Sequence, residues 1–299
     1  MNRMLYSLCK RIYHNLPVSI QEKISVQLAL RWMKNYINEQ SKEEPLVRDM
    51  FHFIQENQFS ENIIVRYPYE WTLKYQIDDI DVFHEGGFPY VKYKGRKLFG
   101  KQSFSKFEAK CYFRLLFMEQ DEASPHRYLK QGRYPSDDSV VADIGAAEGI
   151  FTIDCLDFAK EIYLFEGDEA WVEALYRTFS HEFNKVHIIP RYVGTGKDNT
   201  VRLDDYIHKG INYLKADIEG HEHEMFLGGD VLFSSDFLRQ VLLCCYHRSK
   251  DAENVPLFLA KHNYAMQMNE GFIFSFSEGC TKHANCLRRG VVYGEKKRQ

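Results

Sequence analysis

The chain reads as α/β: a mostly parallel sheet with helices on both faces, preceded by an α+β extension. Two observations predict this. Downstream of Ser136, strand-like and helix-like patterns alternate, which places strands in parallel with crossover helices. The run Val140-Val-Ala-Asp-Ile144 also ends in a turn through Gly145 and Gly149 that opens a helical pattern.

The elements follow in order. Residues 1–60 read as helical, with 4–37 amphipathic around a break at Pro17. Residues 77–100 read as short strands around Gly86-Gly87 and Lys94-Gly95, and Lys106 to Glu119 as a helix. These form an extension, residues 1–123, expected to shape the choice of acceptor. Residues 124–299 form the main domain. Its strands are Val140–Ile144, Glu161–Glu166, Val186–Ile189, Tyr213–Ile218 and Gln240–Tyr246, with helices over Gly149–Phe158, Ala170–Phe179 and Asp251–Asn263. Gln240–Tyr246 is apolar enough to be buried on both faces.

Length and composition restrict the rest. The 299 residues, 44% hydrophobic and 27% charged, suit a globular protein of one large or two modest domains. A net charge of −3 gives no overall attraction to nucleic acid. No apolar run reaches bilayer length, and the basic N-terminal residues alternate with Tyr6, Ile12 and Tyr13, so neither a transmembrane segment nor a signal peptide is expected. The seven scattered cysteines read as reduced thiols of a cytoplasmic protein. Cys280, His283 and Cys286 lie close together, but no second cluster accompanies them, and no metal is assigned.

Ligands of such sheets bind at the C-terminal strand ends. There the first strand carries Asp143 and the turn Gly145-Ala-Ala147-Glu148-Gly149. Its G-x-x-x-G spacing departs from the dinucleotide pattern, and its carboxylate suits an ammonium group better than a pyrophosphate. The second strand ends in Glu166-Gly-Asp168, where a carboxylate can accept hydrogen bonds from ribose hydroxyls. Together they favour a nucleoside with an amino-acid tail, as in S-adenosylmethionine. The fourth strand ends in Lys215-Ala-Asp217-Ile-Glu219-Gly-His-Glu222, and alternation would put 215, 217 and 219 on one side. The fifth ends in Tyr246-His247, a histidine placed to take a proton.

In these segments the chain resembles the FkbM family of S-adenosylmethionine-dependent methyltransferases. The resemblance is carried by Val141–Phe151, Tyr163–Glu166, Val201-Arg-Leu-Asp-Asp205, Tyr213–Gly220 with Glu222 and Gly228, and Tyr246-His247, with Ser124-Pro-His126 and Tyr128 upstream. It implies a class I methyltransferase fold, a Rossmann-like seven-stranded sheet with its last strand antiparallel. Phe272–Phe276 and Leu287–Tyr293 are candidates for the final strands. It also implies O-methylation of a sugar, glycan intermediate or secondary metabolite. By position Asp143, Gly145, Ala147, Glu148, Gly149, Glu166 and Asp168 would bind the cofactor, and Asp217, Glu219 and His247 would face the transferring methyl, with His247 or Asp217 as base. Asp217, Glu219 and Glu222 would also suit a divalent cation. The alternatives are a non-catalytic cofactor-binding partner subunit and an NAD-dependent oxidoreductase. The acceptor and the oligomeric state stay open.

Overall fold

The computed structural model describes residues 18–39, 45–59, 64–275 and 286–297. Cys280 and His283 lie outside the described residues. The first described elements are two helices, α1 (Val18–Glu39) and α2 (Pro45–Asn57). A small antiparallel sheet follows, β1 (Phe83–Glu85), β2 (Phe88–Tyr93) and β3 (Arg96–Phe99), and then α3 (Lys106–Glu119). Ser105 starts α3 because its hydroxyl accepts from Glu108 N while Glu108 reaches back to Ser105 N, a reciprocal cap.

The main sheet is built from β4 (Val140–Ile144), β5 (Glu161–Phe165), β6 (Val186–Ile189), β9 (Tyr213–Ala216), β10 (Gln240–Cys244), β11 (Tyr264–Met268) and β14 (Val291–Lys296). Short pairs are made by β7 (Tyr192–Val193) with β8 (Thr200–Val201), and by β12 (Ile273–Phe274) with β13 (Leu287–Arg288). The spatial order of the seven strands is β11-β14-β10-β9-β4-β5-β6, and β14 runs antiparallel to both neighbours. The reversed last strand agrees with expectation, but its residues shift. The penultimate strand is Tyr264–Met268, and Ile273–Phe274 pairs with Leu287–Arg288 away from the large sheet.

Alternation along the strands divides two cores. Val141, Leu164, Tyr213, Leu242 and Val291 face one side, where Tyr67, Val91, Leu98 and Phe113 of the N-terminal half pack on them. Val140, Ala142, Phe165, Leu214 and Leu243 face the other, covered by Leu232, Phe233, Val255 and Leu259. The first of these residues lie on α7 (Asp230–Ser234) and the last two on α8 (Asp251–Lys261). The helices α1 and α2 pack with Phe272, Phe274 and Leu287. No helix among the described residues is long and apolar enough to cross a membrane.

The cysteine reading needs one correction. Cys155, Cys244 and Cys245 are free thiols, but Cys286 is disulfide-bonded, so the described cysteines are not uniformly reduced. Scattered spacing carries no information about which thiols the folded chain brings within bonding range.

Candidate active site

The parallel register brings Ile144, Phe165, Ala216 and Cys244 to one rim. The chain leaves β4 through Gly145 at φ +68°, a conformation that favours glycine. A Cβ at Gly145 would lie 1.9 Å from the Asp217 carbonyl, and one at Gly149 2.6 Å from the Phe179 ring. Both glycines are therefore demanded by packing of the protein on itself. Ala147 also takes a left-handed φ, +48°, and its N–H donates to Glu166 Oε2 at 2.9 Å. Asp168 N donates to the other oxygen of Glu166 at 2.8 Å. The Glu166 carboxylate is thus fixed at the end of β5 with one accepting direction left on each oxygen.

Asp143 is fully buried. It accepts from Lys215 Nζ at 3.0 Å and from Thr152 Oγ1 at 2.8 Å, so it anchors the turn from beneath. Lys215 also donates to Gly145 O at 2.8 Å. Burial pulls the Lys215 ammonium down, but the charge of Asp143 outweighs it and the pKa rises. Glu148 is buried and accepts from the Tyr112 hydroxyl of α3; burial pushes its carboxyl up to about 7. Asp168 caps α5 (Glu169–Thr178) through Ala170 N and pairs with Lys101 at 2.6 Å. Tyr192, half exposed, lies against Gly167.

Across the turn stands Asp217, one residue past β9, with its side chain 15% exposed. The Tyr128 hydroxyl donates to it at 2.7 Å and the Tyr246 hydroxyl lies at 3.4 Å. His126 Nε2 is at 3.3 Å and His247 Nε2 at 3.0 Å. Burial would raise the Asp217 carboxyl, but the hydrogen bonds from His126 and His247 hold it well below the usual carboxylate range. His247 Nδ1 faces Glu222 at 3.1 Å. Burial lowers the imidazole, the bonds to Asp217 and Glu222 outweigh it, and the pKa rises to about 10. Both ring nitrogens therefore face carboxylates. Above the ring of Tyr246, at 5.5 Å, sits Arg66, paired with Glu119 at 3.5 Å.

Glu219 departs from its expected position. The strand ends at Ala216, so the alternation invoked for 215, 217 and 219 stops before it. Glu219 turns at φ +53°, its side chain is 85% exposed, and its carboxylate lies 3.7 Å from His247 Nε2. Glu222 opens α6 (Glu222–Gly228) and points inward, so Asp217, Glu219 and Glu222 do not gather as one ligand set. In the Leu203-Asp204-Asp205 element, Asp204 accepts from Leu232 N at 2.9 Å and so anchors α7.

The sequence motifs point to Asp217, His247 and Glu166, whereas Tyr112, Arg66 and Glu119 enter the neighbourhood only through the fold. All three come from segments with no motif, and no local spacing announces them. His126 and Tyr128 were noted only through the family resemblance.

A seven-stranded sheet with one reversed strand, β14, and a glycine turn after the central β4 defines the chain as a class I methyltransferase-like α/β protein. Residues 177–266 match the model of the methyltransferase FkbM domain. A comparison with curated proteins finds no match. Among solved structures, an FkbM methyltransferase from Methylobacillus flagellatus KT is similar at 17% identity and TM-score 0.46, over 63% of this chain and 53% of that one. This chain thus spans about half the length of that relative. An rRNA methylase from Streptococcus thermophilus is similar at 15% identity and TM-score 0.38, over 55% and 90% of the two chains. M. jannaschii TYW2, solved with AdoMet, is similar at 15% identity and TM-score 0.39, over 72% and 89%.

Proposed function

We propose that the chain is an S-adenosylmethionine-dependent O-methyltransferase acting on a hydroxyl of a sugar, glycan intermediate or secondary metabolite. The observation that carries the reading is one rim on which a pinned ribose-type acceptor, Glu166, stands with an ionised, donor-ringed carboxylate, Asp217. The donor set fits the cofactor. Glu166 keeps an accepting direction on each oxygen for a ribose diol, and Glu148 offers a carboxyl for an ammonium group. Tyr192 beside Glu166 offers a ring face for a base. When bound, S-adenosylmethionine supplies a sulfonium methyl, already a strong electrophile.

The protein's share is alignment and removal of one proton. Asp217 is the base of this reading. Both nitrogens of His247 are turned to carboxylates, and the Asp217 side chain is the more exposed of the two. A weak base suffices here, because a hydroxyl oxygen becomes strongly acidic as it gains a methyl group. His247, His126, Tyr128 and Tyr246 hold the carboxylate in one orientation. Glu219, exposed and 3.7 Å from His247 Nε2, is the residue of this group assigned to the acceptor. The net charge of −3 favours a small or glycan acceptor over nucleic acid.

The test is calorimetric titration with S-adenosylhomocysteine and NAD, followed by turnover with a hydroxylated acceptor found by screening for S-adenosylhomocysteine release. The expected result is binding of S-adenosylhomocysteine but not NAD, weakened by about 1–3 kcal/mol in Glu166→Ala. Asp217→Asn should bind it normally and lose about a hundredfold or more in turnover. Binding of NAD alone, or full turnover in Asp217→Asn, would overturn the reading.

A further inference from the structure

We propose that Glu222, His247 and Asp251 form a binding site for one divalent transition-metal cation, with Asp217 orienting the histidine from the opposite side. The three residues come from separate places: Glu222 opens α6, His247 follows β10, and Asp251 opens α8. All are buried, at 3%, 8% and 6% exposure. One ligand atom from each lies within 4.8 Å of the others, a spacing that a single ion can bridge.

The polar bookkeeping of this pocket is incomplete without a cation. Glu222 Oε1 faces His247 Nδ1 at 3.1 Å, while its Oε2 is buried with no hydrogen-bond partner among the described residues. A buried acceptor left this way is costly. Asp251 Oδ2 takes one backbone bond, from Arg248 N at 2.6 Å, and the Arg248 side chain itself is exposed. Two buried carboxylates, Glu222 and Asp251, therefore share one imidazole, which Asp217 engages as well from its other side. Buried charges of one sign are ordinarily paired or bound to metal.

The arrangement around His247 points the same way. Its Nε2 lies 3.0 Å from Asp217 Oδ1 while Nδ1 lies 3.1 Å from Glu222 Oε1, and a ligand atom of Asp251 lies within 4.8 Å of the pair's. A metal-bound histidine characteristically gives its other ring N–H to a carboxylate, which sets the tautomer and the ring plane. Binding would release the proton on Nδ1 to solvent, and the two ligating carboxylates would neutralise the dication. One imidazole with two carboxylates suits Mn²⁺ or Zn²⁺ better than Ca²⁺ or Mg²⁺, which favour all-oxygen sites. Such an ion would brace Asp217 through His247, linking α6 and α8 to the rim.

The inference does not depend on methyl transfer and is tested without it. Chelator-treated full-length protein is titrated with MnCl₂ and ZnCl₂ by calorimetry, and bound Mn²⁺ is followed by electron paramagnetic resonance. One ion per chain is expected, with a saturable rise in melting temperature. Glu222→Gln and Asp251→Asn should each weaken binding about tenfold or more, and Asp230→Asn, on the surface, should leave it unchanged. Circular dichroism checks that each variant folds, and either ligand variant suffices for the test. Absence of saturable binding by both cations, or unchanged affinity in a folded Glu222→Gln or Asp251→Asn protein, would overturn the proposal.

Discussion

Glu148 shows how much of this site is decided by single side chains. Its carboxyl sits under α3, bonded to Tyr112, and burial raises it to about 7 from an ordinary 4.5. Between those pH values the folded protein keeps a proton that the unfolded chain has released. Its contribution is therefore fully present below pH 4.5 and is lost as pH rises through 7. At about 1.4 kcal/mol per pH unit the effect is of order ~3 kcal/mol. Glu148→Gln should remove this pH dependence. Urea denaturation of both proteins at pH 5 and pH 8 should show the variant gaining about 1–3 kcal/mol on the wild type at the higher pH. A difference that stays constant with pH would mean that Glu148 does not titrate in this range. At the same scale, Asp143 changes meaning between sequence and structure. It reads as a ligand-facing acid, yet the structure gives it Lys215 and Thr152 as partners. Its carboxylate appears in the motif, but its lysine lies 72 residues away in sequence and adjacent only across the β4–β9 pairing.

Among the elements, the turn after β4 carries the most constraint. Gly145 combines φ +68° with a carbonyl of the next strand's loop against its Cα. Gly145→Ala should cost about 2–5 kcal/mol, the strain of a left-handed alanine plus overpacking against Asp217. Gly132 has φ +80° but nothing within 4 Å of a built Cβ, so Gly132→Ala should cost only the backbone strain, about 1–2 kcal/mol. Denaturation midpoints of the two variants make the comparison, and equal losses would rule out packing as the cause. The boundaries of β4, β6 and α3 were legible because periodicity and capping agree there. β9 stops earlier than its apolar pattern, because Asp217 turns away to meet His126, Tyr128 and His247. Ile273–Phe274 misled for a different reason. A short apolar run fits any sheet, and this one pairs with β13 and packs on the N-terminal helices.

Over the whole molecule, the N-terminal half and the large sheet share a core. Tyr67, Val91, Leu98 and Phe113 bury the same face that Val141, Leu164 and Tyr213 present. Tyr112 reaches Glu148, Lys101 reaches Asp168, and Arg66 stacks on Tyr246. The extension therefore supports both ends of the site while remaining the candidate for acceptor choice. A fragment beginning at residue 121 would expose that apolar face to water. It should show no cooperative thermal transition and no S-adenosylhomocysteine binding, as followed by circular dichroism and calorimetry. A fragment that melts cooperatively and binds would show that the sheet folds without its cover.

The sequence by itself determined the repeating strand–helix order, the glycine turn, the strand-end acids Glu166 and Asp217, and the family resemblance. These follow from local periodicity and from motifs a few residues long. Only the tertiary structure decided what the charged groups do. It sends Glu219 to the solvent, pairs Asp143 with Lys215, and turns His247 between Asp217 and Glu222. It also brings Asp251 beside Glu222 and places Tyr112 and Arg66 over the rim. The physical reason is that a charge's behaviour depends on its burial and its nearest partners. Those partners come from strands and helices far apart in the chain, which only the closed sheet and its packed cover bring into contact.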